Sequence, residues 1–194
     1  DVRDELQGLG LPPEVTEDAK RAVREYSLDS QLAQREDFCL ETVITIDPDD
    51  AKDFDDAISI RAASHGQVEL GVHIADVSAF VQTDHALDEE AAARGNSVYL
   101  PQHVVPMLPE ILSNGLCSLQ EGEPRLCKSA FIQYERSGRR KSTRFANTVI
   151  QSSKRLTYRE ATRILDPLPD DAQQLLFSAT VPADIEQIIR EYLT

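Results

Sequence analysis

Between Thr42 and Ile60 the chain reads TVITIDPDDAKDFDDAISI, and six of the ten residues from Asp47 to Asp56 are aspartates: Asp47, Asp49, Asp50, Asp53, Asp55 and Asp56. Carboxylates packed this densely repel one another. Two unit charges 4 Å apart cost roughly 4 kcal/mol at an effective dielectric near 20, and several such pairs rival the stability of a whole domain. Two readings are open: the side chains fan out into water as a solvated Asp-rich turn, or a hard cation gathers some of them. Phe54, set among the acids, and the apolar run before them favour the cation. A purely solvated loop has no use for an aromatic ring.

The flanking segments show how such a loop would be held. Thr42–Ile46 and Ala57–Ile60 are short β-branched runs with the alternation of strands. Pro48 cannot donate to a central ladder and favours a turn, so the acids hang between two strand ends. Strand ends bearing carboxylates are a usual position for ligand and metal chemistry in α/β folds. The spacing does not fit an EF-hand: a loop starting at Asp47 would need Gly and Glu where the chain has Lys52 and Ile58. Asp49-Asp50-Ala51-Lys52-Asp53 matches a DDxxD pattern in form, but that motif belongs on a long helix, and Pro48 and the strands argue against one.

The other segments supply packing and candidate second contacts. Residues 1–36 read as a polar helical lead-in, with Thr16 as the expected cap of a helix reaching about Tyr26 and Ala19, Ala22, Val23 and Tyr26 on its apolar face. In Gln67–Val81, Val68, Leu70, Val72 and Ile74 alternate onto one face and Glu69, Gly71, His73 and Ala75 onto the other. His73 reads as a hydrogen-bonded sheet residue or as a group orienting a carboxylate, and Asp76 closes this strand as Asp47 closes the first. Asp84–Arg94 is helix-like and Gly95 ends it. Three prolines, Pro101, Pro106 and Pro109, stiffen Gly95–Leu119 into an extended segment, with a helix only from Pro109 to Ser113. Phe131–Tyr134 and Thr143–Ile150 read as strands joined by a turn at Ser137-Gly138-Arg139. Arg159–Leu165 starts a helix, and Ile185–Leu193 resumes helical spacing.

The net charge of −14 argues against a nucleic-acid partner, but its distribution does not. Residues 125–163 hold 11 of the 20 basic residues against two acids, Glu135 and Glu160. This stripe is either a solvated face or one wall of an anionic-ligand channel. At 194 residues, 41% hydrophobic and 28% charged, the sequence reads as one globular unit. No run approaches a membrane span, so no membrane partner is expected. The three cysteines, Cys39, Cys117 and Cys127, show no CxxC spacing and read as thiols of a reducing cytoplasm. The first residue is Asp1, and the expectation is a piece of a longer protein.

The acidic segment closely resembles the signature of the ribonuclease II/R family, the RNB-type 3′→5′ exoribonucleases. The family pattern, T-I-D, five residues, then D-x-D-D-A, is met by Thr45-Ile46-Asp47 and Asp53-Phe54-Asp55-Asp56-Ala57. A second block, S-V-Y-x-P, V-V-P-M-L-P-E and L-S-N-G-L-C-S-L, is met from Ser97 to Leu119, and the resemblance runs from about Arg35 to Ala161. It implies an α+β fold, a mixed β-sheet with flanking helices, as the partial RNB-type catalytic domain over 37–194 after the lead-in of 1–36. It implies a hydrolytic, processive exoribonuclease of cytoplasmic location that degrades single-stranded RNA to 5′-mononucleotides. The catalytic set implied is Asp47, Asp53, Asp55 and Asp56, with Mg2+, or Mn2+ in its place, held by Asp47, Asp53 and Asp56. Tyr99 occupies the position of the tyrosine that stacks on the 3′-terminal region of the RNA, and Tyr158, in Arg155-Leu156-Thr157-Tyr158, that of a later substrate-facing tyrosine. The family's catalytic arginine and a later glutamate have no counterpart motif here, Arg190 included, and its flanking OB-type RNA-binding barrels are expected only in the full-length parent. The competing class is a catalytically inactive RNB-like module that binds metal or RNA.

Overall fold

The computed structural model describes residues 10–100 and 103–165. Pro13 opens helix α1 (Pro13–Glu25) at the position where a missing N–H costs nothing and a preset φ helps. The helix therefore starts three residues before the expected cap, Thr16. That residue lies inside the first turn, where its N–H and hydroxyl both donate to the Pro12 carbonyl, at 3.2 and 3.4 Å. Val15 and Ala19 are buried, and Ala22, Val23 and Tyr26 pack against the same core. The short helix α2 (Leu28–Leu32) leads to strand β1 (Glu36–Phe38). The lead-in thus shares one core with the strands after it.

The sheet contains, in chain order, β1, β2 (Val43–Asp47), β3 (Asp56–Ala62), β4 (Val68–Ala75), then, after other elements, β7 (Pro124–Tyr134), β8 (Arg140–Gln151) and β9 (Lys154–Thr157). Its spatial order is β1-β8-β7-β4-β3-β2-β9. The β2-β3-β4-β7-β8 neighbours pair antiparallel, whereas β1 on β8 and β9 on β2 are parallel. This is a mixed α+β architecture, as expected. Helix α3 (Ala86–Arg94) ends at Gly95, whose φ of 74° takes the left-handed turn and whose N–H donates to the Ala91 carbonyl at 2.9 Å. The proline-rich stretch forms a small separate ribbon of β5 (Val98–Leu100) and β6 (His103–Val105), followed by a π-helical turn at Leu112–Leu116. Helix α4 (Tyr158–Leu165) follows β9 directly. The helical spacing noted at Ile185–Leu193 lies outside the described residues.

The β7–β8 hairpin is as expected but longer, its turn closed by Gly138 at φ 79°. Strand β4 departs from its hydropathy. Glu69, Gly71, His73 and Ala75 are all buried, whereas on the apolar face only Leu70 is buried and Ile74 is exposed. The buried polar groups are paired across strands: His73 Nε2 with Ser59 Oγ at 2.9 Å, His73 Nδ1 with Ser129 Oγ at 2.7 Å, and Ser129 Oγ with Thr148 Oγ1 at 2.6 Å. Burial pushes the His73 imidazole down to about 4, so it is neutral. On the opposite face Ile60, Ile74 and Phe145 are 72%, 47% and 80% exposed. No helix among the described residues is long and apolar enough to cross a membrane. All three cysteines are free thiols, Cys117 and Cys127 buried and Cys39 half-buried.

Candidate active site at the aspartate loop

Strand pairing places the six aspartates at one end of the sheet. Ile44 pairs with Ile58 in the β2–β3 ladder, so Asp47 and Asp56 close the two strands where the loop leaves and returns. On the flanks, Asp47 sits opposite Thr157 of β9, and Asp56 opposite Ile74 of β4. Phe54 is the anchor of the loop. Its ring is buried, its N–H donates to Ser118 Oγ at 3.1 Å, and its carbonyl accepts from Leu119 N–H at 2.9 Å. Ser118 Oγ also donates to the Lys52 carbonyl at 2.9 Å. The segment ending in Ser118-Leu119 thus clamps the loop from Lys52 to Phe54.

The loop's other support is Arg155. Its Nη2 donates to the carbonyls of Pro48 and Asp49 at 2.7 and 2.9 Å, and its guanidinium carbon lies 5.1 Å from the Phe54 ring centroid. Arg159 Nη2 lies 3.6 Å from Asp49 Oδ2, an exposed pair of little energetic weight. Ser118 and Arg155 are the site residues that motif reading missed as supports; both lie inside the family's motif blocks, but their roles depend on long-range contacts.

Burial raises the carboxyls at the strand ends. Asp47 is pushed up to about 6, chiefly by burial, with Asp56 and Asp55 adding repulsion and Thr45 and Arg155 opposing it. Asp55 is also pushed up to about 6, by burial and then by Asp53 and Asp56, although the residue remains exposed and water screens part of the effect. Burial raises Asp56 as well. Asp47 Oδ2 is buried and makes no well-formed hydrogen bond; the Thr45 hydroxyl beside it and the Arg155 charge offset only part of the cost of burial. Buried polar atoms are rarely left so. Such a group suits a hard cation, and an all-carboxylate donor set is the chemistry of Mg2+ and Mn2+. Among the described residues, however, no three His, Cys, Asp or Glu side chains already converge as a ligand set. Asp53 Oδ2 accepts instead from the Tyr99 hydroxyl at 2.7 Å.

That bond places Tyr99, on β5, directly over the loop. Tyr99 is 64% exposed, so it is not a core residue. The hydrogen bond to Asp53, with burial second, pushes its hydroxyl up to about 12. Tyr158 is half-buried and follows Thr157, the strand partner of Asp47, so α4 begins at the mouth of the loop. The remaining candidates are occupied elsewhere. His73 belongs to the serine network on the buried face. Asp76 Oδ2 accepts from Arg35 Nη2 at 2.6 Å and Oδ1 from Ser78 at 2.6 Å. Burial pushes the Asp76 carboxyl up, but the bonds from Ser78 and Arg35 outweigh it and leave it below its usual range.

The basic stripe does not form one wall. Lys154, Arg155 and Arg159 lie at the aspartate end. Arg136, Arg139, Arg140 and Lys141 surround the β7–β8 turn, at the far end of strands about 20 Å long from Lys128 to Tyr134. Several are paired locally, such as Arg139 with Glu135 at 2.9 Å and Arg144 with Glu36 at 2.9 Å.

Comparisons with known proteins identify the family. A family model described as RNB domain matches residues 35–191. Ribonuclease R of Thermotoga maritima is 42% identical over 196 residues, spanning 98% of this chain and 27% of that protein. Among solved structures, Mycoplasma genitalium RNase R in complex with ribose-methylated single-stranded RNA superposes with a TM-score of 0.70 at 30% identity, covering 89% of this chain and 26% of the other. Yeast Ssd1, a pseudonuclease, superposes at 0.66 with 25% identity, over 76% of this chain and 18% of the other. The chain thus spans about a quarter or less of the length of these relatives. With a family model matched over residues 35–191 and relatives about 40% identical over most of its length, the chain belongs to the RNB-domain family.

Proposed function

We propose that this chain is the aspartate-bearing part of the catalytic domain of a 3′→5′ exoribonuclease that hydrolyses single-stranded RNA to 5′-mononucleotides with Mg2+, or Mn2+ in its place. The observation that carries the reading is the buried, poorly satisfied Oδ2 of Asp47 beside carboxyls that burial holds up. Buried carboxylate oxygens without a well-formed hydrogen bond are uncommon, and one beside other carboxylates is suited to a divalent cation. Asp47, Asp53 and Asp56 would hold the ion, and Asp55 would complete the set. When bound, a divalent ion supplies Lewis acidity, acidifying water and offsetting phosphate charge.

The chain's own residues supply position. Phe54 and Ser118 fix the second half of the loop. Tyr99, exposed and held over the loop by its hydroxyl, would offer its ring face to a base, a contact worth roughly 1–3 kcal/mol. Tyr158 offers a second ring beside Asp47. The OB-type barrels expected to flank the domain would supply most of the phosphate contacts, since the basic residues here are divided between two ends of the sheet.

The likeness to a pseudonuclease supports a second reading, an inactive module that binds RNA. All four signature aspartates are present, which favours the enzyme. The discriminating experiment uses the longer protein containing this chain, with 5′-labelled single-stranded RNA and Mg2+. Asp55→Asn should abolish mononucleotide release and keep RNA binding. Full turnover by that variant overturns the assignment, and RNA binding without any turnover by the unaltered protein establishes the inactive module.

A further inference from the structure

Three buried side-chain polar atoms among the described residues make no well-formed hydrogen bond: Thr45 Oγ1, Asp47 Oδ2 and Arg155 Nε. They are not scattered. Arg155 is the β9 partner of Thr45, and Asp47 lies two residues further along β2, so all three side chains share one face of one strand pair. Arg155 also reaches both halves of the loop. It donates to the Pro48 and Asp49 carbonyls, immediately after Asp47, and packs on Phe54, two residues before Asp56. Its own strand is pinned, because its N–H donates to Glu121 Oε2 at 2.9 Å.

We propose that Arg155 is a positioning residue for the aspartate loop: its guanidinium ties the backbone after Asp47 to β9 and the Phe54 ring, so that Asp47 and Asp53–Asp56 present their carboxylates to one divalent cation. This rests on the cation reading above. Charge alone makes the opposite forecast. A guanidinium beside a cation site repels the incoming ion, so deleting it should tighten binding if electrostatics were its whole effect. A positioning role predicts weaker binding despite the lost repulsion. Lysine cannot replace it, since an ammonium lacks the planar fork and the flat face that stacks on Phe54.

The test uses the 194-residue chain, with Mn2+ as the probe. Mn2+ binding is followed by electron paramagnetic resonance for the unaltered chain, Arg155→Met, Arg155→Lys and Asp47→Asn. Amide exchange is measured in EDTA at Ala51, whose N–H donates to the Pro48 carbonyl at 3.2 Å, and at Leu119, which bonds Phe54. With both carbonyl bonds lost, Arg155→Met should weaken Mn2+ binding about tenfold or more and speed Ala51 exchange by a similar factor. Exchange at Leu70 and Val149 in the core should not change. Arg155→Lys should weaken Mn2+ binding severalfold as well. Equal or tighter Mn2+ binding by Arg155→Met overturns the proposal. If the unaltered chain binds Mn2+ no better than Asp47→Asn, the cation reading falls; unchanged Ala51 exchange in Arg155→Met then removes the positioning role too, whereas faster exchange leaves Arg155 as the brace of the loop.

Discussion

Replacing Asp47 by asparagine should make the metal-free chain more stable at neutral pH, although it removes a residue proposed to be essential. Burial carries the Asp47 carboxyl up to about 6 from 3.8, even with Thr45 and Arg155 opposing the change. That gap caps the penalty on the ionised form at about 3 kcal/mol at neutral pH, and water reaching the half-buried carboxyl screens part of it. Between pH 4 and 6 the native state binds the proton more tightly than the unfolded chain, so stability falls as pH rises through this window and stays low above it. Asparagine keeps the shape and cannot ionise. Asp47→Asn should therefore gain about 2 kcal/mol at pH 7.5 in EDTA, or roughly 4–8 °C in Tm for a chain of this size. The gain should vanish near pH 4. Urea melts followed by far-ultraviolet circular dichroism are the assay, since the chain has no tryptophan. Adding Mg2+ should stabilise the unaltered chain and not the variant. Equal or lower stability of Asp47→Asn at pH 7.5 in EDTA would show that the carboxylate is already well satisfied, and the argument for a cation at Oδ2 would fail.

Other substitutions test the surroundings. A Cβ at Gly71 would lie 2.3 Å from Ser59 Oγ and 2.7 Å from His73 Nε2; the serine can rotate away but the buried ring cannot, so Gly71→Ala should cost about 2 kcal/mol in urea melts. Asp76→Ala strips Arg35, whose side chain is 8% exposed, of its ion-pair partner, and should cost roughly 3–5 kcal/mol; a loss below 1 kcal/mol would mean that water reaches the guanidinium. Tyr99→Ala should cost less than about 1 kcal/mol, because the ring is exposed and its bond to Asp53 is open to water. In the longer protein it should lengthen the last undegraded oligonucleotide, and an unchanged product length would show that the ring does not grip the RNA.

The sequence by itself determined the local features of this site. Strands on either side of Asp47 and Asp56, the loop imposed by Pro48, the glycine that ends α3 and the hairpin turn at Gly138 all follow from neighbouring residues and short-range backbone preferences. The buried ring of Phe54 was legible as a residue out of place among acids. What the tertiary structure decided depends on residues far apart in the chain. Hydropathy marks Val68, Leu70, Val72 and Ile74 as the inward side of β4, yet Ser59, Ser129 and Thr148 from three other strands pair the polar groups, so the whole His73 face is buried while only Leu70 is on the other. Asp76 mirrors Asp47 in sequence, but Arg35 engages it 41 residues away and removes it from the site. Likewise the Tyr99 hydroxyl on Asp53 and the Arg155 grip on Pro48 and Asp49 bridge 46 and 107 or fewer residues. The continuous basic stripe is divided because β7 and β8 run the length of the sheet, carrying the charges of their turn away from those of β9. Strand register sets such meetings, and register is a property of the assembled sheet, not of any one segment.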